Sequence, residues 1–243
     1  MIDESQRRAA NVLAITSLLT FAVITVAFTR FMAPLLVWND ITETARNIAA
    51  HQTTFRIYLA LAVLYGLGIL ISLTALYLIL KPAGRGLALL AALSRLVYVL
   101  LWFVMLLSFF SALRFMGNGK YLQVFDSERL QALAGMQLAS GWGAYYLGLT
   151  FYGLATFLFS YLWFTSRYIP RTLAIWGLLS SFFEGFCAFA YLVNPRFGNI
   201  VSVNWYELPI ALFEIATAIW LLVKGLRAPR ASMPQADSAS SGK

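Results

Sequence analysis

An all-α fold, a polytopic integral membrane protein built as a six-transmembrane-helix bundle, is what the sequence predicts. Three observations predict it. Hydrophobic residues make up 60% of the chain and charged residues 12%, whereas a soluble domain carries about a quarter charged residues to cover its surface. The charges fall in short gaps between six long apolar runs, each near the roughly 20 residues that cross about 30 Å of hydrocarbon. The alternating ten-residue segments of a transmembrane barrel are not seen, which favours helices over strands. Mean hydropathy is +0.75.

The elements follow in order. Arg7 and Arg8 precede a first span, about Ala9 to Thr29, longer than the core of a cleaved signal peptide. A polar connection holds a short amphipathic helix, Ile41 to Ala50, with Asp40 and Glu43 in capping-box spacing and Ile41, Ala45, Ile48 and Ala49 on one face; such a helix is expected to lie at the membrane surface. The second span runs from Phe55 to Leu80 and stops at Lys81–Pro82, and the third from Gly86 to Leu113. The second outer connection, 115–135, is expected to hold another short surface helix, capped by Ser127 and carrying Glu128, Leu130 and Leu133. The fourth span is Gly141 to Phe164 and the fifth Thr172 to Val193. The sixth runs from Tyr206 to Leu222, with Asn204 and Glu207 in capping-box spacing and Pro209 in the first turn, where proline is tolerated. Trp38, Trp142, Trp163, Trp205 and Trp220 fall near span ends and read as interface anchors.

These boundaries give one membrane domain over 1–226 and a tail, 227–243, rich in Ala, Ser and Pro and expected to be disordered on the cytoplasmic side. Of the 18 Lys and Arg residues, Arg95 lies mid-span, ten fall on the side of the termini and seven on the other. The positive-inside rule then places both termini in the cytoplasm of a multi-pass protein of the inner, or plasma, membrane. The same flanking residues account for the net charge of +8, so no nucleic-acid partner is expected; the lipid bilayer is the partner the composition requires. The lone cysteine, Cys187, sits in an apolar run and excludes an intrachain disulfide.

Three ionisable groups break the apolar runs: Arg95 in the third span, Glu184 in the fifth and Glu214 in the sixth. Counted from the inner ends of their helices they lie about 12, 18 and 15 Å deep at about 1.5 Å per residue, one slab within reach of an arginine side chain. A lone charge at mid-bilayer costs about 2.5–3.5 kcal/mol even on the lenient insertion scale, so these groups are expected to meet, with spans three, five and six as neighbours. One arginine against two glutamates leaves a formal charge of −1, and one of the two is expected to pair with Arg95. The candidate polar centre is therefore Arg95, Glu214, Glu184 and Tyr98, the last one turn from Arg95. Tyr58 and Tyr65 on one face of the second span, Tyr145 and Tyr152 on one face of the fourth, and Ser180 beside Glu184 are candidates to line a cavity, since a tyrosine hydroxyl in a membrane core needs a partner. Ordinary hydrogen bonding between helices is the plainer role for each of them.

Other chemistries lack parts. His51 is the sole histidine and lies in an outer connection, no lysine lies mid-span, and no nucleophile can be matched to a base inside the bilayer. No catalytic residue, metal site or cofactor is expected.

Several stretches resemble a bacterial membrane family, domain of unknown function 4386. They are Phe55–Arg56–Ile57, Leu80–Lys81–Pro82 with Arg85–Gly86–Leu87–Ala88, Ser94–Arg95–Leu96, Leu147–Gly148–Leu149 through Gly153, Tyr168–Ile169–Pro170–Arg171, and Phe213–Glu214 with the closing Trp220 to Gly225. The resemblance spans about residues 10 to 226. It implies Arg95 and Glu214 as the paired core, because the family pattern includes counterparts of both and no constant counterpart of Glu184. It implies no activity.

Two functions of different class are compatible with these residues. One is binding or transport of a small or lipid-like molecule around the Arg–Glu centre; the other is a structural or accessory subunit whose buried pair only fixes helix packing. An enzyme acting on lipid comes third. Oligomeric state is not encoded in any of these features. An ion pair makes a direct prediction: Arg95→Ala and Glu214→Ala each lower stability by about 3–5 kcal/mol, because each leaves the other charge buried and alone, and the double variant recovers most of the loss in thermal unfolding of the detergent-solubilised protein.

Overall fold

The computed structural model describes residues 2–38, 40–117, 119 and 122–227. Of the tail expected to be disordered, 227–243, all but Arg227 lies outside the described residues, as does Lys120 of the second connection. Apolar runs fold as helices because hydrocarbon offers backbone groups no other partner. Among the described residues there are seven α-helices: α1 (Glu4–Val26), α2 (Ile41–Ala50), α3 (Gln52–Leu80), α4 (Arg85–Phe115), α5 (Ser127–Ser166), α6 (Arg171–Val193) and α7 (Val203–Lys224). All but α2 are long and apolar enough to cross a membrane. The chain is a helical membrane protein.

Each of the six long helices packs against the next in the chain, and α1 closes the series by packing against α7 as well as α3. The result is a ring. α4–α5 and α5–α6 are its most extensive contacts, whereas α4 makes no extensive contact with α6 or α7. This corrects the expectation that spans three, five and six are neighbours: α6 and α7 adjoin, but α4 faces them across the interior. Depth along a helix is set by counting residues; position around a ring is not.

The end of the ring that holds both termini is tied by polar contacts. Asp3 caps α1 by accepting from the Gln6 N–H, and the Gln6 side chain answers the Asp3 N–H in a full capping box. The Gln6 amide also donates to the Ile79 carbonyl at the end of α3, at 2.9 Å. Arg227, which sequence assigned to the tail, donates its N–H to the Tyr168 carbonyl between α5 and α6. The α3–α4 and α5–α6 connections therefore lie on the same side as the start of α1 and the end of α7, as six alternating spans require.

The opposite, distal end is less regular. α1 passes into a π-helical segment, Ala27–Met32, and a 3₁₀ turn, Ala33–Leu35. The first amphipathic helix is present as expected, with Asp40 accepting from the Glu43 N–H. Its apolar face is not spread on a membrane surface, however. Ala45 and Ile48 are buried, and α2 packs mainly on α5, capping the end of the ring.

The second amphipathic segment is helical but not separate. It forms the first turns of α5, a single 40-residue helix whose cap is Asp126, not Ser127. No proline lies between Ser127 and Gly141, and an isolated glycine such as Gly135 costs only about 1 kcal/mol in a helix, too little to end one. At about 60 Å, α5 is twice the hydrocarbon thickness, so its start stands beyond the apolar layer and gives α2 its seat.

Where α5 meets α6 the backbones almost touch. A Cβ on Gly153 would stand 2.8 Å from the Cα of Gly185, and small residues are what allow membrane helices so close. Gly153→Ala is therefore expected to cost about 1–3 kcal/mol through overpacking and to lower the melting temperature in detergent. Gly86→Ala in α4, where the added methyl meets nothing within 4 Å, is expected to leave it unchanged or slightly raised.

Candidate functional site

α4 presents a buried stripe at helical spacing, running through Ala88, Ala91, Arg95, Tyr98, Trp102, Met105 and Phe109. Small residues below and aromatics above leave Arg95 facing the ring interior. Its Nη2 donates to Glu214 Oε1 on α7 at 2.8 Å and to Thr156 Oγ1 on α5 at 2.9 Å. The guanidinium also lies over the Tyr152 ring, 3.9 Å from its centroid, an arrangement that favours a desolvated cation. Tyr152 and Thr156 are one turn apart on α5, so a single helix face supplies both. Arg95 thus joins three helices, and Nε alone is sealed without a partner among the described residues.

The two members of the pair differ in exposure. The Arg95 side chain is 5% accessible and that of Glu214 is 35%. Glu214 opens onto a chamber of about 700 Å³ inside the ring, whose wall also includes Arg95. Most lining residues that are themselves exposed, among them Thr29, Trp38, Asp40 and Asn204, lie at the distal end, with Phe21 midway along the first span the exception, so the chamber opens chiefly there.

Aromatic side chains form the wall opposite α7. Tyr65 and Trp102 have centroids 4.8 Å apart, Tyr98 and Tyr152 also 4.8 Å, and Trp102 and Tyr145 6.0 Å. The Tyr65 and Tyr98 hydroxyls share a hydrogen bond of 3.3 Å, and the Trp102 indole N–H donates to the Ala62 carbonyl at 2.9 Å. Tyr58, Tyr65, Tyr98, Tyr145 and Tyr152 all line the chamber. Ser180 does not: its hydroxyl is turned to the carbonyls of Trp176 and Gly177 on its own helix, the usual way a serine satisfies itself in an apolar helix.

Glu184 is fully buried and borders the chamber, but neither carboxyl oxygen has a hydrogen-bond partner among the described residues. It makes no ion pair with Arg95, which is met by Glu214 alone.

One acidic residue of the site was assigned elsewhere by sequence. Glu207, read as part of a capping box, receives a hydrogen bond from the Tyr145 hydroxyl and lines the chamber. The helix starts at Val203 after Ser202, earlier than the apolar run suggests, which puts Glu207 in the second turn and Pro209 inside the helix. The signal was available: Glu207 and Glu214 are seven residues apart, hence on one helix face. The tryptophans divide as well. Trp38 and Trp205 are exposed near the distal end, as interface anchors should be, whereas Trp163 is buried in the core and Trp142 lines the chamber.

A volume of this size lies within the 300–1,000 Å³ range of small-molecule sites, which are mostly apolar with a few placed polar groups. What the arrangement can do chemically is bind: it offers a carboxylate pair on α7, an aromatic wall and a paired guanidinium. No curated protein and no solved structure matches the chain. The family described as domain of unknown function (DUF4386) matches residues 12–225, from the first span to the end of the sixth, and the chain belongs to that family.

Proposed function

We propose that the protein binds a small or lipid-like molecule in the ring chamber and moves it between the membrane and the distal side. The observation that carries this reading is the partial exposure of Glu214 to the chamber. A pair that served only to fix packing would be expected in a dry, filled interface, with both partners covered. The accessory-subunit reading draws on a different observation, that Arg95 ties α4, α5 and α7 together. A strut and a binding group are compatible in one side chain, and the open carboxylate is what the strut alone leaves without purpose.

In this reading the protein lies in the plasma membrane with both termini cytoplasmic and the chamber opening outward. Sidedness has a direct test, because Cys187 is buried and single introduced cysteines can be labelled above it. A membrane-impermeant maleimide is expected to label Trp38→Cys in intact cells and Ser5→Cys only after lysis; the reverse pattern inverts the topology.

Occupancy is tested by native mass spectrometry of the detergent-extracted protein. A bound molecule of a few hundred daltons is expected on the unaltered chain and is lost from Ala211→Trp, which fills the chamber from α7. If the extracted protein carries no such molecule, and Ala211→Trp supports growth as well as the unaltered chain, the chamber is only a packing feature.

A further inference from the structure

The chamber's charge is lopsided. Among the described residues its wall holds four acidic groups, Asp40, Glu184, Glu207 and Glu214, and one basic group, Arg95. Arg95 is already taken, by Glu214, Thr156 and the Tyr152 ring, and is almost wholly covered. Two of the carboxylates, Glu207 and Glu214, lie on one face of α7 and are open to the interior, about 10 Å apart along the helix axis. A third, Glu184, borders the same space buried and unpartnered.

Across from α7 stand the rings of Tyr65, Tyr98, Trp102, Tyr145 and Tyr152. Aromatic faces carry the negative end of a quadrupole and attract cations, most of all where water is excluded. Carboxylates on one side and aromatic rings on the other, one of them (Tyr152) already covered by Arg95, form a container of one sign. Apolar side chains such as Phe21, Ile24, Phe28 and Ile210 complete it.

We propose that the ligand is a lipophilic organic cation, an ammonium or phosphonium whose charge is carried inside an apolar body. This rests on the chamber being a binding site, as argued above, and adds the sign and character of what it binds. A cation set between Glu207 and the aromatic wall offsets the cost of an acidic group held away from water. A ligand bearing a carboxylate or phosphate would meet three or more acidic groups and find its only counter-charge already paired and covered. A bare metal ion is a poor fit, because no three acidic, histidine or cysteine side chains among the described residues gather to hold one.

Two probes of nearly the same shape and opposite charge make the test, tetraphenylphosphonium and tetraphenylborate. Calorimetric titration of the detergent-solubilised full chain, with empty micelles as the blank, is expected to show saturable binding of the phosphonium. The borate is expected to bind at least ten-fold more weakly. Glu207→Gln, whose amide oxygen can still accept from Tyr145, is expected to weaken the phosphonium about ten-fold and to leave neutral triphenylphosphine oxide unaffected. Should that variant fail to fold, Asp40→Asn at the exposed mouth is expected to give a smaller loss of the same sign, asparagine being an equally good helix cap.

Borate binding as tight as phosphonium binding, or phosphonium affinity indifferent to both variants, would overturn the cation assignment. If borate or the neutral oxide then binds saturably and Ala211→Trp abolishes it, the chamber remains a binding site for another class of molecule. If no probe binds saturably, both the cation and the binding site are rejected.

Discussion

A guanidinium in the middle of a membrane must be met at its own depth, and the rest of this structure is arranged around that requirement. Arg95 cannot reach water by snorkelling, because its helix carries it toward the ring interior and not to an end. It is met instead by a carboxylate on α7, a hydroxyl and an aromatic face on α5. Each contact fixes a rotation: α4 must turn its Arg95–Tyr98–Trp102 stripe inward, α5 its Tyr152–Thr156 face, and α7 its Glu214. Membrane helices have no hydrophobic drive toward one another, since lipid is as apolar as leucine. Directional polar contacts of this kind are what choose one arrangement among many.

The choice has a geometric consequence. Because α4 and α7 do not pack on one another, the arginine spans the distance with its side chain and the helices stay apart. Close backbone approach is confined to the walls of the ring, as where Gly153 faces Gly185. The interior is left to side chains, mostly large aromatic ones with a polar atom each. A tyrosine brings bulk and a hydroxyl at little entropic cost, and here the hydroxyls find each other or a carboxylate, as Tyr65 finds Tyr98 and Tyr145 finds Glu207.

Much of this was written in the sequence, in the features that depend on counting. Six apolar runs gave six spans, equal depth grouped Arg95 with both Glu184 and Glu214, and the family resemblance singled out Glu214 as the partner. The tyrosine faces of α3 and α5 were legible from seven-residue spacing. What depends on rotation around the ring was not: nothing in a depth count says that α4 stands across from α7, or that Glu184 ends alone while Glu214 is taken. Glu207 was lost for a different reason. Close to a helix start, a glutamate has a local role available as a capping residue, and that reading stopped the search before its i, i+7 relation to Glu214 was noticed. The fusion of the second amphipathic segment into α5 shows the same bias, a polar stretch read as a break where the backbone had no reason to stop. Trp142 was placed by proximity to a span end, which fails once a helix runs well past the membrane; Trp163 does stand near the end of α5 but turns into the core.

The size of the chamber bears on which reading of the pair survives. A closed core void is costly because its lining loses its contacts, whereas a chamber of about 700 Å³ that opens at its distal end can be filled. A ring evolved only to hold itself together would close that space with larger side chains, as cores do. Instead the wall carries carboxylates and hydroxyls, groups that an apolar filling would leave unpaired at further cost. In the binding reading proposed above, the space holds water or an amphiphile, and its wall serves those contents more than the helices. Water would satisfy the carboxylates, but it gains little from a wall of aromatic rings. A molecule with both a charge and an apolar body uses the two walls together.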